Sequence, residues 1–268
     1  MIIIGEKING SIPSVAEAIA AKDEARIRHL ARIQEDVDAD YLDCCASVNV
    51  NEVETIKWMI DLIQDETDSR ICVDSPDPRV CVEAMAFCKK PGLVNSISLE
   101  GDKCEVILPA LVGNRWNVVA LLSGDSGIPK SADERLENFQ RLLDKAAKYG
   151  IASDRLFIDP LVEGLATNQE SLLTFAEVCR GIRAICPECH ITSGLSNISF
   201  GLPARKMINL CFLTLAMQAG MDSAILDPTN KDMMGHIYAT AALLGEDDFC
   251  VDYIGAYREY QFGVTAKK

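Results

Sequence analysis

The chain has 268 residues, 49% of them hydrophobic and 25% charged, with a formal net charge of −14. That is enough apolar side chain for a sizeable core, and it excludes a disordered chain. So acidic a surface repels phosphate backbones and anionic lipid, which argues against nucleic acid and membrane as partners.

From Met1 to Lys7 there is no basic stretch, and the apolar run is too short for a signal peptide or a membrane span. A cytoplasmic location is expected. In a reducing compartment the eleven cysteines are expected to be mostly buried thiols packed as small hydrophobes. Cys72, Cys88, Cys179, Cys211 and Cys250 all sit in apolar stretches.

Short apolar runs recur along the chain at Ile2–Ile4, Tyr41–Asp43, Ile71–Asp74, Leu93–Ser96, Val118–Leu122, Leu156–Asp159, His190–Leu195 and Ala224–Asp227. Amphipathic helical patterns separate them. The clearest runs from Ser131 to Tyr149, opened by a capping box of Ser131 with Glu134 and stopped at Gly150. Thr167 with Glu170 predicts a second capping box, ahead of a helix from Leu172 to Ile185. The Tyr- and Phe-rich tail from Asp248 to Phe262 predicts a last helix packed over the others.

Strands that are apolar throughout and alternate with helices are parallel and covered on both faces. Eight such units in a chain of this length predict a (β/α)₈ TIM barrel, with residues 1–268 as a single domain. A doubly wound dinucleotide fold is disfavoured because no Gly-x-Gly-x-x-Gly follows the first strand.

In such a barrel the active site lies at the C-terminal ends of the strands. The residues closing the apolar runs share one chemistry: Glu6 and Asn9, Asp43, Asp74, Asn95, Asp159, Asn197 after Gly194 and Ser196, and Asp227. Each alone is equally well explained as the N-cap of the next helix. Capping does not explain why so many strands use Asp or Asn, since Ser, Thr and Gly would serve.

A ring of this kind suits a heterocycle with several N–H donors, because a guanidine-like edge donates in parallel to a carboxylate. An Asn can donate to one ring atom and accept from another, which suits a group that changes protonation. No His cluster points to a metal, and Lys7 is the only strand-end lysine to suggest Schiff-base chemistry.

Several segments together resemble the methyltetrahydrofolate:corrinoid protein methyltransferases, pterin-binding TIM barrels related to the folate module of cobalamin-dependent methionine synthase. They are Ile4-Gly5-Glu6-Lys7-Ile8-Asn9, Val73-Asp74-Ser75, Val94-Asn95-Ser96, Gly127-Ile128-Pro129, Phe157-Ile158-Asp159-Pro160-Leu161, Gly194-Leu195-Ser196-Asn197-Ile198-Ser199, the stretch from Phe200 through Pro203 and Arg205 to Asn209, and Ala224-Ile225-Leu226-Asp227-Pro228. They run in family order across nearly the whole chain.

The resemblance implies methyl transfer, by an SN2 step, between N5 of tetrahydrofolate and the cobalt of a corrinoid. The corrinoid (cobalamin) would be presented by a partner protein docked on the strand-end loops. It assigns the pterin grip to Asp74, Asn95 and Asp159, and the contact with N5 to Asn197. Glu6, Asp43, Gly194, Ser196 and Asp227 complete the expected pterin-binding set, and no metal is expected. Hydrogen bonds from pterin N–H groups should keep Asp74 and Asp159 ionised. A homodimer is expected as well, and the direction of transfer is left open. One departure stands out: relatives read Leu-Asp-x-Asn at strand two, and this chain reads Leu42-Asp43-Cys44-Cys45.

The alternatives are a dihydropteroate-synthase-like enzyme and a non-catalytic pterin-binding protein. The former needs basic groups for a pyrophosphate, for which Lys7 and Arg205 are the candidates. Cys186-Pro187-Glu188-Cys189-His190 matches a haem-attachment pattern, but it falls at a helix-to-strand turn, on the face of the barrel away from the site. His29 and His236 are expected on the surface or in packing, Met217, Met221, Met233 and Met234 in core gaps, and Trp58 and Trp116 in helix packing.

Overall fold

The computed structural model describes residues 1–46, 51–259 and 261–263. Its strands are β1 (Ile2–Asn9), β2 (Tyr41–Cys45), β3 (Arg70–Asp74), β4 (Leu93–Leu99), β5 (Asn117–Gly124), β6 (Leu156–Asp159), β7 (His190–Ile191) and β8 (Ser223–Leu226). From β1 to β7 each pairs in parallel with the next, and β8 pairs in parallel with β1. Between β7 and β8 the circle closes through Asp222 N–H donating to Ile191 O (3.2 Å) and Ile225 N–H donating to Ser193 O (2.9 Å). This is the expected eight-fold barrel.

Helices α1 (Pro13–Ala20) and α2 (Glu24–Glu35) follow β1. Then α3 (Glu52–Glu66), α4 (Pro78–Met85), α5 (Lys103–Ala110), α6 (Ala132–Lys148), α7 (Ser171–Ile185), α8 (Arg205–Gln218) and α9 (Lys231–Leu244) each follow one strand, and α10 (Val251–Arg258) is the last described helix. The main core lies between strands and helices.

A second, smaller core fills the barrel. Ile4, Tyr41, Cys72, Leu93, Val119 and Phe157 come from six consecutive strands and pack on one another. Strand side chains alternate in direction, so residues two places further along point the same way. Those residues are Glu6, Asp43, Asp74, Asn95, Leu121 and Asp159. The apolar plug thus forms the floor on which the polar ring stands.

The α6 capping box forms as the sequence predicts: Glu134 N–H donates to Ser131 Oγ (3.2 Å), and Ser131 N–H donates to Glu134 Oε2 (3.3 Å). The second does not form. Thr167 Oγ1 donates to Gly164 O instead, Asn168 Oδ1 takes the Glu170 N–H, and α7 starts at Ser171. Strand β7 is far shorter than its apolar run, because Leu195–Ser199 turns into a 3-10 helix.

Cys211 and Cys250 are exposed, contrary to expectation. The outer face of α8 is itself apolar, with Met207 and Leu215 in solvent, so apolar neighbours in sequence do not mark burial there. Trp116 packs just ahead of β5 rather than on a helix, while Trp58 lies on α3 under the Lys22 ammonium. The tail is a turn at Asp248–Cys250 followed by α10, and Phe262 packs among Tyr238, Tyr253 and Tyr257. His29 and His236 are exposed, and the four methionines are buried.

Candidate active site

The first wall of the mouth is β1. It bulges after Gly5, so that Gly5 pairs with Leu42 but the next pair is Ile8 with Cys44. A bulge re-aims side chains, and here it is held by the buried Gln34, whose Oε1 accepts the Lys7 N–H at 3.0 Å. Gly5 is needed for that approach, since a Cβ there would sit 2.5 Å from the same oxygen. Lys7 Nζ then pairs with Asp227 Oδ2 at 2.9 Å, tying β1 to β8.

Asp227 is accordingly occupied. Its other oxygen accepts from the Thr229 N–H (2.9 Å) and hydroxyl (2.7 Å). Burial works against its charge, but the bonds from Lys7 and Thr229 outweigh it and hold the carboxyl below its ordinary range. Glu6, beside it, is pushed up to about 7 by burial and by Asp227, against the pull of Lys7 and Arg205.

Asp43 is 1% exposed. Asn9 Nδ2 donates to its Oδ2 at 3.2 Å, while Oδ1 has no partner among the described residues. Burial and the nearby Asp74 push this carboxyl well above its ordinary range, and bonds from Asn9 and Cys72 only partly offset them. An orphaned buried carboxyl oxygen is costly, and a ligand N–H donor would satisfy it. Asp74 stands one strand further round, opposite Cys45 in register on one side and Asn95 on the other. Burial lifts it to about 6, with the Cys45 thiol pulling the other way.

Asp159 is also lifted to about 6 by burial, against backbone N–H bonds from Leu161 and Gly194 and the charge of Arg135. The loop after it is fixed by Arg135, whose guanidinium is fully buried. Its Nη1 donates to Pro160 O (2.8 Å), its Nε to Pro129 O (3.1 Å), and its Nη2 to Glu163 Oε2 (2.9 Å).

Gly194 links Asp159 to Asn197. Its N–H favours the Asp159 charge, its carbonyl accepts the Asn197 N–H at 3.1 Å, and a Cβ on it would lie 3.0 Å from Asn197 Nδ2. Asn197 itself is exposed to solvent. Its 3-10 turn is stapled by Arg205 at the start of α8, donating from Nη2 to Ser196 O (2.7 Å) and from Nε to Ser199 Oγ (3.0 Å).

Glu6, Asp43, Asp74, Asn95 and Asp159 therefore share one level above the plug, and Gly194, Ser196 and Asn197 lie on the turn beside it. Asp227 is placed as a tie between strands. Sequence reasoning missed Gln34 and Arg135 altogether and gave Arg205 no holding role. Burial outweighs the groups of the chain that favour the charges of Asp74 and Asp159, and the expectation that pterin N–H groups keep the two ionised concerns the bound state.

Among the described residues no group of three or more His, Cys, Asp or Glu is placed to hold a metal. Nor is any helix there long and apolar enough to cross a membrane. Cys186 and Cys189 form a buried thiol pair, Sγ to Sγ 2.9 Å, at the end of the barrel opposite the ring. The His190 ring packs at a tilt against Phe157 in the plug and its Nδ1 meets Asp222.

Fold and ring define a class. The chain belongs to the pterin binding enzyme family, whose profile matches residues 12–227. Among individual proteins it is 47% identical over 271 residues to the methylcorrinoid:tetrahydrofolate methyltransferase of Eubacterium limosum, covering 100% of both chains. It is 30% identical over 240 residues to methionine synthase of Mycobacterium tuberculosis, covering 84% of this chain but 20% of that much longer one. The dihydropteroate synthase of Coxiella burnetii, solved with pteroic acid, superposes with a TM-score of 0.70 at 19% identity, covering 92% of this chain and 94% of that one. At that identity the likeness concerns the fold alone.

Proposed function

We propose that this chain is a methyltransferase moving a methyl group between a corrinoid and N5 of tetrahydrofolate. We take the direction from the name of the Eubacterium limosum relative: from methylcorrinoid to tetrahydrofolate. The observation that carries this reading is the ring itself, in which Asp74, Asn95 and Asp159 stand at one level and Gly194 brings Asn197 alongside.

Asp74 and Asp159 take the parallel N–H donors of the pterin edge, and Asn95 fixes its rotation in plane. The Asp43 oxygen without a partner among the described residues is one further acceptor for this ring. Loading these acceptors lowers the carboxyl pKa values again, since hydrogen bonds to the charged form favour it.

The corrinoid, presented at the open end of the barrel by its carrier protein, is the methyl donor: the N5 lone pair would form the new bond to the methyl carbon as the cobalt–carbon bond breaks, its electron pair staying with the corrinoid. When N5 gains the methyl carbon it becomes positive and still carries its proton. Asn197 accepts a hydrogen bond from that N–H and so stabilises charge that exists only as the bond forms.

A dihydropteroate-synthase-like reaction is less well supported. Its pyrophosphate needs free cations, and the two candidates are engaged: Lys7 with Asp227, and Arg205 with Ser196 and Ser199. We also read the protein as cytoplasmic, and as a homodimer, the latter supported by the exposed apolar residues Met207 and Leu215 on α8.

The test is an assay with tetrahydrofolate and methylated corrinoid, followed in both directions. Formation of 5-methyltetrahydrofolate supports the reading. Tight pterin binding with no transfer to or from any corrinoid would leave a non-catalytic pterin-binding protein.

A further inference from the structure

We propose that Cys45 is a positioning residue of the pterin site, its thiol turning the Asp74 carboxylate towards the pterin. The inference rests on the pterin reading given above.

Its place is set by the sheet and not by a loop. Cys45 ends β2, paired with Asn9 of β1 on one side and Asp74 of β3 on the other. Its carbonyl accepts the Gly10 N–H at 2.9 Å, and its side chain is buried. As register partners on adjacent parallel strands, Cys45 and Asp74 carry their side chains on the same face of the sheet, which sets the thiol beside the carboxylate, where it favours the charge.

Asp74 sits in hostile company. Asp43 of β2 and Glu52 of α3 are carboxyls within electrostatic reach, Cys81 of α4 is a thiol on the same side, and Asn95 of β4 is neutral. Burial and Glu52 both disfavour its charge, and the Cys45 thiol favours it.

A thiol does this differently from a carboxamide. It has one weak donor and no strong acceptor oxygen. It therefore steadies one Asp74 oxygen without placing a competing acceptor beside the pterin's N–H groups, and its smaller size leaves room above the carboxylate.

The test is tetrahydrofolate affinity measured from pH 5 to 8 on the full chain, for wild type, Cys45→Ala and Cys45→Ser, with kcat measured alongside. Losing the donor should weaken binding at pH 7 by roughly three- to tenfold. It should also move the pH midpoint of binding upwards, with kcat at saturating pterin little changed. Serine restores a hydroxyl donor, so Cys45→Ser should return affinity and midpoint to wild type or beyond. Asp74→Asn should abolish the part of the midpoint that responds to position 45.

Unchanged affinity and midpoint in Cys45→Ala would overturn the proposal. So would an equal shift in Cys45→Ser, which would mean that packing and not donation matters. Failure of the wild type to bind tetrahydrofolate at any pH would remove the pterin reading itself, and this inference with it.

Discussion

Asp159 shows at the scale of one residue how a binding site works against folding. It is buried, and its pKa stands at about 6 in the folded chain, above the ordinary carboxylate range. Such a group binds its proton more readily folded than unfolded, so stability falls as pH rises from about 4 to 6 and the deficit persists at neutral pH. Asp159→Asn removes that ionisation and should stabilise the ligand-free protein at pH 7 by about 1–3 kcal/mol. The gain should vanish near pH 4, while tetrahydrofolate affinity is largely lost. Urea unfolding at the two pH values, with a binding titration, measures both. A variant less stable at pH 7, or a gain that does not change with pH, would refute this view of the site. The identity of Asp159 as a site residue was legible because it closes an apolar run. Its raised pKa was not, because that depends on burial and on neighbours from other strands.

Among the elements, the turn after β7 is the most finely placed. The sequence reading continued β7 to Leu195 because Ile191 and Leu195 are apolar. In the structure the chain leaves the sheet after Ile191, and residues such as Thr192 and Ser193 meet neighbouring strands through single backbone bonds. What holds the turn is Arg205, bonded to Ser196 and Ser199. The bulge of β1 depends in the same way on Gln34, and the loop after β6 on Arg135. The holding roles of these three side chains were invisible in the sequence because most of their partners are backbone groups or distant residues, which leave no periodic pattern.

Gly194 makes the turn testable. Its φ of −70° suits any residue, so only the 3.0 Å approach of Asn197 Nδ2 resists a side chain there. Gly194→Ala should displace Asn197 by a few tenths of an ångström and lower kcat by about an order of magnitude. Its melting temperature should stay close to wild type. An unchanged kcat would mean that Asn197 is not held by this contact.

Over the whole molecule, the division of labour follows from strand geometry. One set of inward residues, Ile4, Tyr41, Cys72, Leu93, Val119 and Phe157, seals the barrel. The set two places further on carries the chemistry, and the loops that follow present it. The barrel was legible because buried parallel strands read as apolar runs and because the polar residue ending each run marks the mouth. The closure between β7 and β8, made by isolated bonds, left no such trace. The residues of the ring thus act together, Asp74, Asn95 and Asp159 holding a flat heterocycle while Asn197 meets the reacting nitrogen. The most direct measurement is single-turnover transfer of labelled methyl from a methylcorrinoid protein to saturating tetrahydrofolate, by wild type and by Asn197→Ala, with pterin affinity in parallel. The account predicts transfer by the wild type, a rate lower by about 10²–10³ in the variant, and affinity reduced far less. A variant as fast as wild type at saturation, with the whole deficit in binding, would contradict it.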